Sequence, residues 1–174
     1  MPELPDISNY IRALEARAIG RRLVAVRLSN PFFLRTVSPA PSELAGRKVV
    51  ALHRLGKRIA IELEGEYYAI IHLMISGRLH WKDKPPKIGG KVVHGSLDFE
   101  NGSLLITEAS TKKRAGLYLA EGSEDFSWYR PQGLEVFDCS SKAFRDRLRR
   151  ENHTVKRALT DPRLFSGIGN AYSD

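Results

Sequence analysis

Apolar residues recur with helical spacing in the first eighteen positions of the chain. Ile7, Ile11, Leu14 and Ala18 fall on one face of a 3.6-residue period. Pro5 stands near the start of this run, where the first helical turn tolerates proline, and Gly20 provides a stop. The pattern predicts an amphipathic helix over residues 6–18.

From residue 23 to about residue 119 the period changes to two. Apolar and polar positions alternate over residues 24–28, 59–63, 104–106 and 117–119, and glycine-containing breaks separate the runs. Residues 67–73 form a denser apolar run, as expected for a strand that is buried on both faces. Many short strands at close spacing predict an antiparallel sandwich or barrel, and the Pro- and Gly-rich stretch 82–91 predicts a loop.

Helical spacing returns after about Phe137. Ser140 or Ser141 can cap a helix that runs to about residue 150, and a second short apolar stripe ends at Asp161-Pro162. The segment SGIGN then resembles a turn that leads into another helix. We therefore divide the chain into a β-rich domain over residues 1–136 and a partial helical domain over residues 137–174.

The charge of the chain suggests its class of partner. The 174 residues carry a net charge of +8, and the estimated pI is about 9.8. Such a balance favours a polyanion, nucleic acid before membrane, although a protein can also be basic without binding one. The single cysteine excludes an internal disulfide and a four-cysteine zinc site, and the N-terminus has no signal-peptide pattern. A cytoplasmic location is the expectation.

Two residues at the N-terminus can carry covalent chemistry. Removal of Met1 would leave Pro2 with a free secondary amine, which attacks carbonyl-like carbon when it is neutral. Glu3 can serve beside it as a proton donor if burial raises its pKa. The alternative readings are simpler, because many proteins begin with Met-Pro and because a carboxylate at a helix start interacts with the helix dipole.

Several polar residues later in the chain can contact phosphate. Lys57 stands at a predicted hairpin tip, Asn170 follows glycines at a predicted helix start, and a cationic run lies between two strands. The run consists of Lys112, Lys113 and Arg114. A solvated turn lysine, a helix cap and an exposed loop explain the same residues, and His72 reads equally well as a hydrogen-bonded strand residue.

The order of four motifs carries a resemblance to a known family. The motifs are MPELPD at the start, LGKR at 55–58, HLMISGR at 72–78 and SGIGNAYSD at 166–174. Together they resemble the formamidopyrimidine-DNA glycosylase/endonuclease VIII family over essentially the whole chain. The resemblance implies an α+β fold, with an N-terminal helix, an antiparallel two-sheet β-sandwich and a partial helix–two-turns–helix domain.

The resemblance also implies roles for individual residues. Pro2 would be the Schiff-base nucleophile, Glu3 the acid/base partner, and Lys57 a catalytic-site lysine that contacts DNA near the lesion. His72 and Asn170 would contact phosphates, while the run 112–114 would grip the DNA backbone. The implied activity is excision of oxidised bases from duplex DNA, followed by cleavage at the abasic site, after the damaged nucleotide has been flipped out.

Partners and cofactors follow from the same resemblance. The expected partner is double-stranded DNA that contains damaged bases or abasic sites, with no membrane, and the protein is expected to be a monomer associated with a bacterial nucleoid. We expect no cofactor or metal in this chain. Zinc is expected only in a C-terminal finger, a region with which the family normally continues and which is absent from these 174 residues.

Three departures from the family pattern affect lesion recognition. Where the family commonly reads HLGMSG, Met74 takes the glycine position and Ile75 takes the position of the residue that fills the gap left by the flipped base. Where it commonly reads DPRRFG, Lys113 and Ala115 replace Arg and Phe. Asp6 stands near the predicted lesion pocket in place of the usual Glu.

Three further functions stay open on the sequence alone. The chain can be a DNA-damage binding protein without catalysis, which the missing Phe favours. It can be a truncated, inactive fragment of the enzyme. A basic β-rich RNA-binding module also fits the charge and the strand pattern, but it leaves the N-terminal motif unexplained.

Overall fold

Helix α1 begins the chain, and eight strands that form two sheets follow it. The computed structural model describes residues 1–174. The β-rich part contains α1 (Leu4–Ala18), β1 (Leu23–Leu28), 3₁₀ turns at Pro31–Phe33 and Pro41–Leu44, β2 (Val49–Leu55), β3 (Arg58–Leu63), β4 (Tyr67–His72), β5 (Gly77–Lys82), β6 (Val93–Phe99), β7 (Gly102–Glu108), β8 (Gly116–Glu121) and α2 (Gly122–Ser127). The remainder contains β9 (Leu134–Glu135), α3 (Ser141–Leu148), α4 (Val155–Thr160), β10 (Phe165–Ser166) and α5 (Asn170–Ser173).

The two sheets each have four antiparallel strands, in the orders β1-β6-β7-β5 and β2-β3-β4-β8. Alternate side chains of both sheets enter one apolar core, which includes Ile59 and Ile61 of β3 and Leu104 and Ile106 of β7. Because side chains on a strand alternate between faces, the period of two in the sequence is enough to build this layer. The predicted α+β fold with a two-sheet sandwich is confirmed.

Strand β4 is buried on both faces, as its dense apolar run predicts. Ala69 and Ile71 face the main core between the sheets. Tyr68 and Ile70 face a second cluster on the outer side, where Phe126 of α2 stacks on Tyr68 with ring centroids 4.1 Å apart. Helix α2 therefore covers the outer face of the sheet, and its polar six-residue sequence gave no periodic signal by which it could be predicted.

The helices after residue 136 pack around a small core of their own. Ala158, Leu164 and Phe165 are buried there, and Leu134 and Val136 pack against them. Ser140 caps α3 by accepting a hydrogen bond from the Ala143 backbone N–H at 3.1 Å, as predicted. The domain boundary after residue 136 stays a prediction, and β9 extends the contacts of the helical part a few residues before it, through its pairing with β10.

The turn between β4 and β5 contains a residue in a conformation that favours glycine. Met74 has a φ of 53°, in the left-handed region, which costs a non-glycine residue about 1–2 kcal/mol. Gly77 closes the turn, and a β-carbon there would lie 2.3 Å from the Leu73 carbonyl oxygen. The turn therefore forms with methionine in place of the family's glycine, at some cost in folding stability.

No helix of the protein is both long and apolar enough to cross a bilayer.

Candidate functional site around the N-terminus

The two ends of the chain meet at Glu3. The Leu4 backbone N–H donates to the Gly167 carbonyl oxygen at 3.0 Å, and the Glu3 side chain is buried. Its carboxylate accepts hydrogen bonds from the backbone N–H groups of Gly169 at 2.7 Å, Ala171 at 2.9 Å and Tyr172 at 3.3 Å. The structure thereby brings the MPELPD and SGIGN motifs into one site, although 166 positions separate Glu3 from Gly169.

Lys57 reaches the same point from the turn between β2 and β3. A β-carbon at Gly169 would lie 2.4 Å from Glu3 Oε1 and 2.8 Å from Lys57 Nζ, so any other residue there would displace one or both groups. Burial lowers the pKa of Lys57, and the negative charge of Glu3 opposes that shift. A carboxylate and an amine therefore share a confined space beside the backbone of the SGIGN segment.

Pro2 is buried and lines the first of two clefts near the N-terminus. The first cleft, of about 470 Å³, is lined by Met1, Pro2, Asp6, Asn9, Tyr10 and Arg78. Asp6 accepts a hydrogen bond from the Glu3 backbone N–H at 2.9 Å, which supports the start of α1. Met1 is 46% exposed and lines both clefts, and its bond to Pro2 makes the Pro2 nitrogen an amide. Removal of Met1 would leave the Pro2 nitrogen as a free amine beside the first cleft.

The second cleft, of about 500 Å³, is cationic. Lys57 and His72 line it together with three arginines, and no carboxylate side chain does; the arginines are Arg58, Arg130 and Arg163. Sequence reasoning missed these arginines, because only the packing of residues 128–132 and 160–167 against the turn at Lys57 brings them together. An arrangement of this kind attracts an anion.

His72 is uncharged at neutral pH. Burial first, and then the charges of Arg58 and Lys57, lower its pKa to about 4. A neutral imidazole can donate one hydrogen bond but brings no charge to the cleft. Because the unfolded chain takes up this proton near pH 6.5, the contribution of His72 to stability falls as the pH drops from about 6.5 towards 4.

Most of the remaining predicted site residues lie near the turn between β4 and β5 and the loop after β7, whereas Asn170 belongs to the SGIGN segment beside Glu3. Ile75 is 54% exposed and lines a cleft of about 210 Å³ with Lys112 and Arg114. Lys113 Nζ donates to the Glu108 carbonyl oxygen, and Ala115 is buried in the main core. Asn170 is exposed at the first position of α5. Sequence reasoning also missed the buried pair Glu108 and His94, which lacks any motif by which it could be found.

One group of side chains has the composition of a metal site. Ligand atoms of Glu151, His153 and Asp161 lie within 4.8 Å of one another. Arg163 already holds the Asp161 carboxylate in several hydrogen bonds, which lower the pKa of that carboxyl to about 2. Since a cation would compete with this guanidinium, we assign no metal to the cluster.

Comparison with known proteins identifies the relatives of this chain. A sequence model of the formamidopyrimidine-DNA glycosylase N-terminal domain matches residues 1–113. The formamidopyrimidine-DNA glycosylase of Solibacter usitatus is 32% identical over 177 residues, and that of Chloroflexus aurantiacus is 32% identical over 181 residues. In both cases the match covers 100% of this chain and 63% of the relative, so the chain spans less than two thirds of their length.

Solved structures have the same fold. The Lactococcus lactis protein in complex with an abasic site containing DNA superposes with a TM-score of 0.84 at 25% identity, over 99% of this chain and 64% of that one. The structure of MutM in complex with carbocyclic 8-oxo-G containing DNA gives a TM-score of 0.84 at 25% identity, over 99% of this chain and 65% of that one. The family model over 113 of 174 residues and the fold together show that the chain belongs to the formamidopyrimidine-DNA glycosylase family.

Proposed function

We propose that this chain is the catalytic part of a base-excision-repair DNA glycosylase with abasic-site lyase activity. The observation that carries the proposal is the meeting of Glu3, the chain neighbour of Pro2, with Lys57 and the SGIGN backbone in one confined site. A buried carboxylate and a lysine whose pKa is lowered by burial, at the same point, favour a functional site.

The proposed reaction uses the Pro2 nitrogen after Met1 has been removed. The neutral amine attacks the sugar C1′, and the damaged base leaves with the electrons of its bond to C1′. The Glu3 carboxylate takes the proton that the attacking amine loses and gives it to the ring oxygen as the C1′–O4′ bond breaks, which leaves an iminium ion. That cation acidifies the C2′–H, so that loss of this proton expels the 3′ phosphate, and water then releases the enzyme.

The proposed partner is duplex DNA that carries an oxidised base or an abasic site. Lys57, His72 and Asn170 would contact phosphates, and the cationic cleft provides further positive charge for the backbone of the strand. Ile75 is exposed at a turn and would enter the gap left by the flipped nucleotide. Monomeric state and a cytoplasmic, nucleoid-associated location remain predictions.

Binding of DNA damage without catalysis is the second candidate function. It is favoured by the loop after β7, where Ala115 stands in place of the family's Phe and is buried in the core. Lys113, in place of the Arg, donates to a backbone carbonyl oxygen, so neither residue offers an aromatic side chain to insert into DNA. The intact Pro2 and Glu3 favour the enzyme.

Reductive trapping separates these candidates. Protein whose mass shows that it starts at Pro2 is mixed with duplex DNA that carries one abasic site, and borohydride is added. The enzyme is expected to give a covalent adduct, because borohydride reduces the iminium ion to a stable amine. Tight binding of the same duplex without any adduct would instead support the binding protein.

Replacement of Lys57 tests the proposed phosphate contact. Lys57→Ala is expected to weaken binding of abasic-site duplex and to reduce the slope of log K against log salt by about one charge. Lys87→Ala, which removes the same charge from an exposed loop away from the cleft, serves as the matched control and should leave the slope unchanged. Equal slopes for Lys57→Ala and the unaltered protein would place Lys57 away from phosphate.

A further inference from the structure

A buried carboxylate at the end of β7 has an unusual number of donors around it. Glu108 is 1% exposed. Its Oε2 accepts hydrogen bonds from His94 Nε2 at 2.9 Å, from the Arg114 backbone N–H at 3.0 Å and from the Ala115 backbone N–H at 3.1 Å. Its Oε1 accepts a hydrogen bond from Ser76 Oγ at 3.2 Å.

These four donors come from three separate parts of the chain. Ser76 belongs to the turn that carries Ile75, and Arg114 belongs to the loop between β7 and β8. That loop has no regular structure, so its form depends on side-chain contacts. Lys113 Nζ adds a further bond to the carbonyl oxygen of Glu108. One residue thus ties the Ile75 turn to the cationic loop 112–114.

Strand β6, the third part of the chain, contributes His94, which contacts the Glu108 carboxylate. His94 is buried and stacks on Phe33, with ring centroids 4.8 Å apart and an interplanar angle of 18°. The stack fixes the imidazole whose Nε2 faces Glu108. Burial alone would raise the pKa of Glu108, but hydrogen bonds from His94 and from the loop backbone lower it overall. The carboxylate is therefore a charged acceptor at neutral pH.

We propose that Glu108 is a positioning residue that sets the Ile75 turn and the loop 112–114 in one arrangement for contact with damaged DNA. The inference rests on the proposed function for its DNA partner. Glu108 touches neither Pro2 nor Lys57 in the contacts of the site, so its effect is on how the duplex is received and not on the chemical step. Without its acceptor, two loop N–H groups and His94 would lose their partner, and the loop would leave its place over the turn.

A control is needed to separate the proposed role of Glu108 from the general stabilising effect of a buried carboxylate, and the same sheet contains a second such carboxylate. Asp98 on β6 is 5% exposed and is bound by Arg27 and Ser103, away from both DNA-facing segments. Asp98→Ala therefore reproduces the loss of a buried carboxylate without releasing the loop. Glu108→Gln is the conservative variant, since its amide oxygen can take the place of Oε2 while its N–H₂ group donates to Ser76 Oγ.

The test combines amide hydrogen exchange of the free protein with binding of abasic-site duplex. In Glu108→Ala, protection of the Arg114 and Ala115 amides is expected to fall about tenfold or more, and affinity for the duplex is expected to fall about tenfold, as for the loss of about one buried hydrogen bond. Glu108→Gln should retain most of the amide protection and most of the duplex affinity. Asp98→Ala should change neither the protection of these two amides nor the affinity. In Glu108→Ala, the rate of adduct trapping at saturating DNA should stay within about twofold of the original rate.

Each outcome bears on one proposal. Unchanged protection of Arg114 and Ala115 in Glu108→Ala would overturn the positioning role, whatever the protein does with DNA. An equal loss of affinity in Asp98→Ala would also overturn it, because general destabilisation would then explain the effect. If Glu108→Ala fails to fold, Ser76→Ala, which removes only the donor to Oε1, is expected to lower affinity and spare the adduct rate. If the unaltered protein shows no preference for abasic-site duplex, the proposed function fails while hydrogen exchange still tests the loop.

Discussion

Protein that retains Met1 is expected to form no borohydride-trapped adduct with abasic-site DNA. The nucleophile in the proposed mechanism is the lone pair of the Pro2 nitrogen, and an amide nitrogen has no such lone pair to give. Pro2 is buried and shares the first cleft with Met1, so a retained Met1 would in addition occupy space beside the Pro2 nitrogen. The expected effect is complete loss of the adduct.

The comparison needs two forms of one protein. Production with methionine aminopeptidase inhibited yields the form that retains Met1, and the processed form starts at Pro2; intact mass identifies each. Binding of the abasic-site duplex is measured on the same samples, so that lost chemistry is separated from lost binding. An adduct of equal yield from the Met1 form would assign the nucleophile to another amine, and the α-amine of Met1 and the side chain of Lys57 would be the first to examine.

Replacement of Glu3 by Gln is expected to lower base excision by about 10²–10⁴, the usual contribution of a general acid or base. A glutamine cannot supply the proton that opens the sugar ring. It also disturbs the site, because both Glu3 oxygens accept backbone N–H groups and a glutamine would set its own N–H₂ group against one of them. The SGIGN segment should therefore loosen as well.

Two measurements separate these effects of Glu3→Gln. Excision of an oxidised base reports the proton transfer, and hydrogen exchange of the Gly169 and Ala171 amides reports the anchoring of the SGIGN segment. Glu15→Gln makes the same chemical change on an exposed position of α1 and should alter neither. Excision at the original rate by Glu3→Gln would show that the acid/base assignment is wrong.

Local pattern was enough to predict helix α1 and several strands of the two sheets, although it left open whether they form a sandwich or a barrel. The helix predicted over 6–18 is observed at Leu4–Ala18, and the alternating runs at 59–63 and 104–106 lie in β3 and β7. These elements follow from burial of one face, which the sequence period records directly. Helix α2 and the pairing of β9 with β10 were not predicted, because Phe126 and the two-residue strands depend on what they pack against.

The candidate site residues also divide into those that the sequence predicted and those that only the structure revealed. Pro2, Glu3, Lys57 and Asn170 were predicted because they belong to motifs, yet nothing in the sequence says that a β-carbon at Gly169 would touch both Glu3 and Lys57. The arginines of the second cleft and the carboxylate of Glu108 belong to no motif. They can be recognised only when charge, burial and hydrogen-bond partners are seen together.

The sequence by itself determined most of the helices and strands, the antiparallel sandwich-or-barrel class, the basic charge and the residue types available for chemistry, since each follows from local pattern or from composition. Only the tertiary structure decided which of those residues act together. Contacts such as that of Glu3 with Gly169, which join positions 166 residues apart, arise from the packing of whole layers. The shift of the His72 pKa to about 4 has the same origin, because burial and the nearby charges of Arg58 and Lys57 exist only in the folded chain.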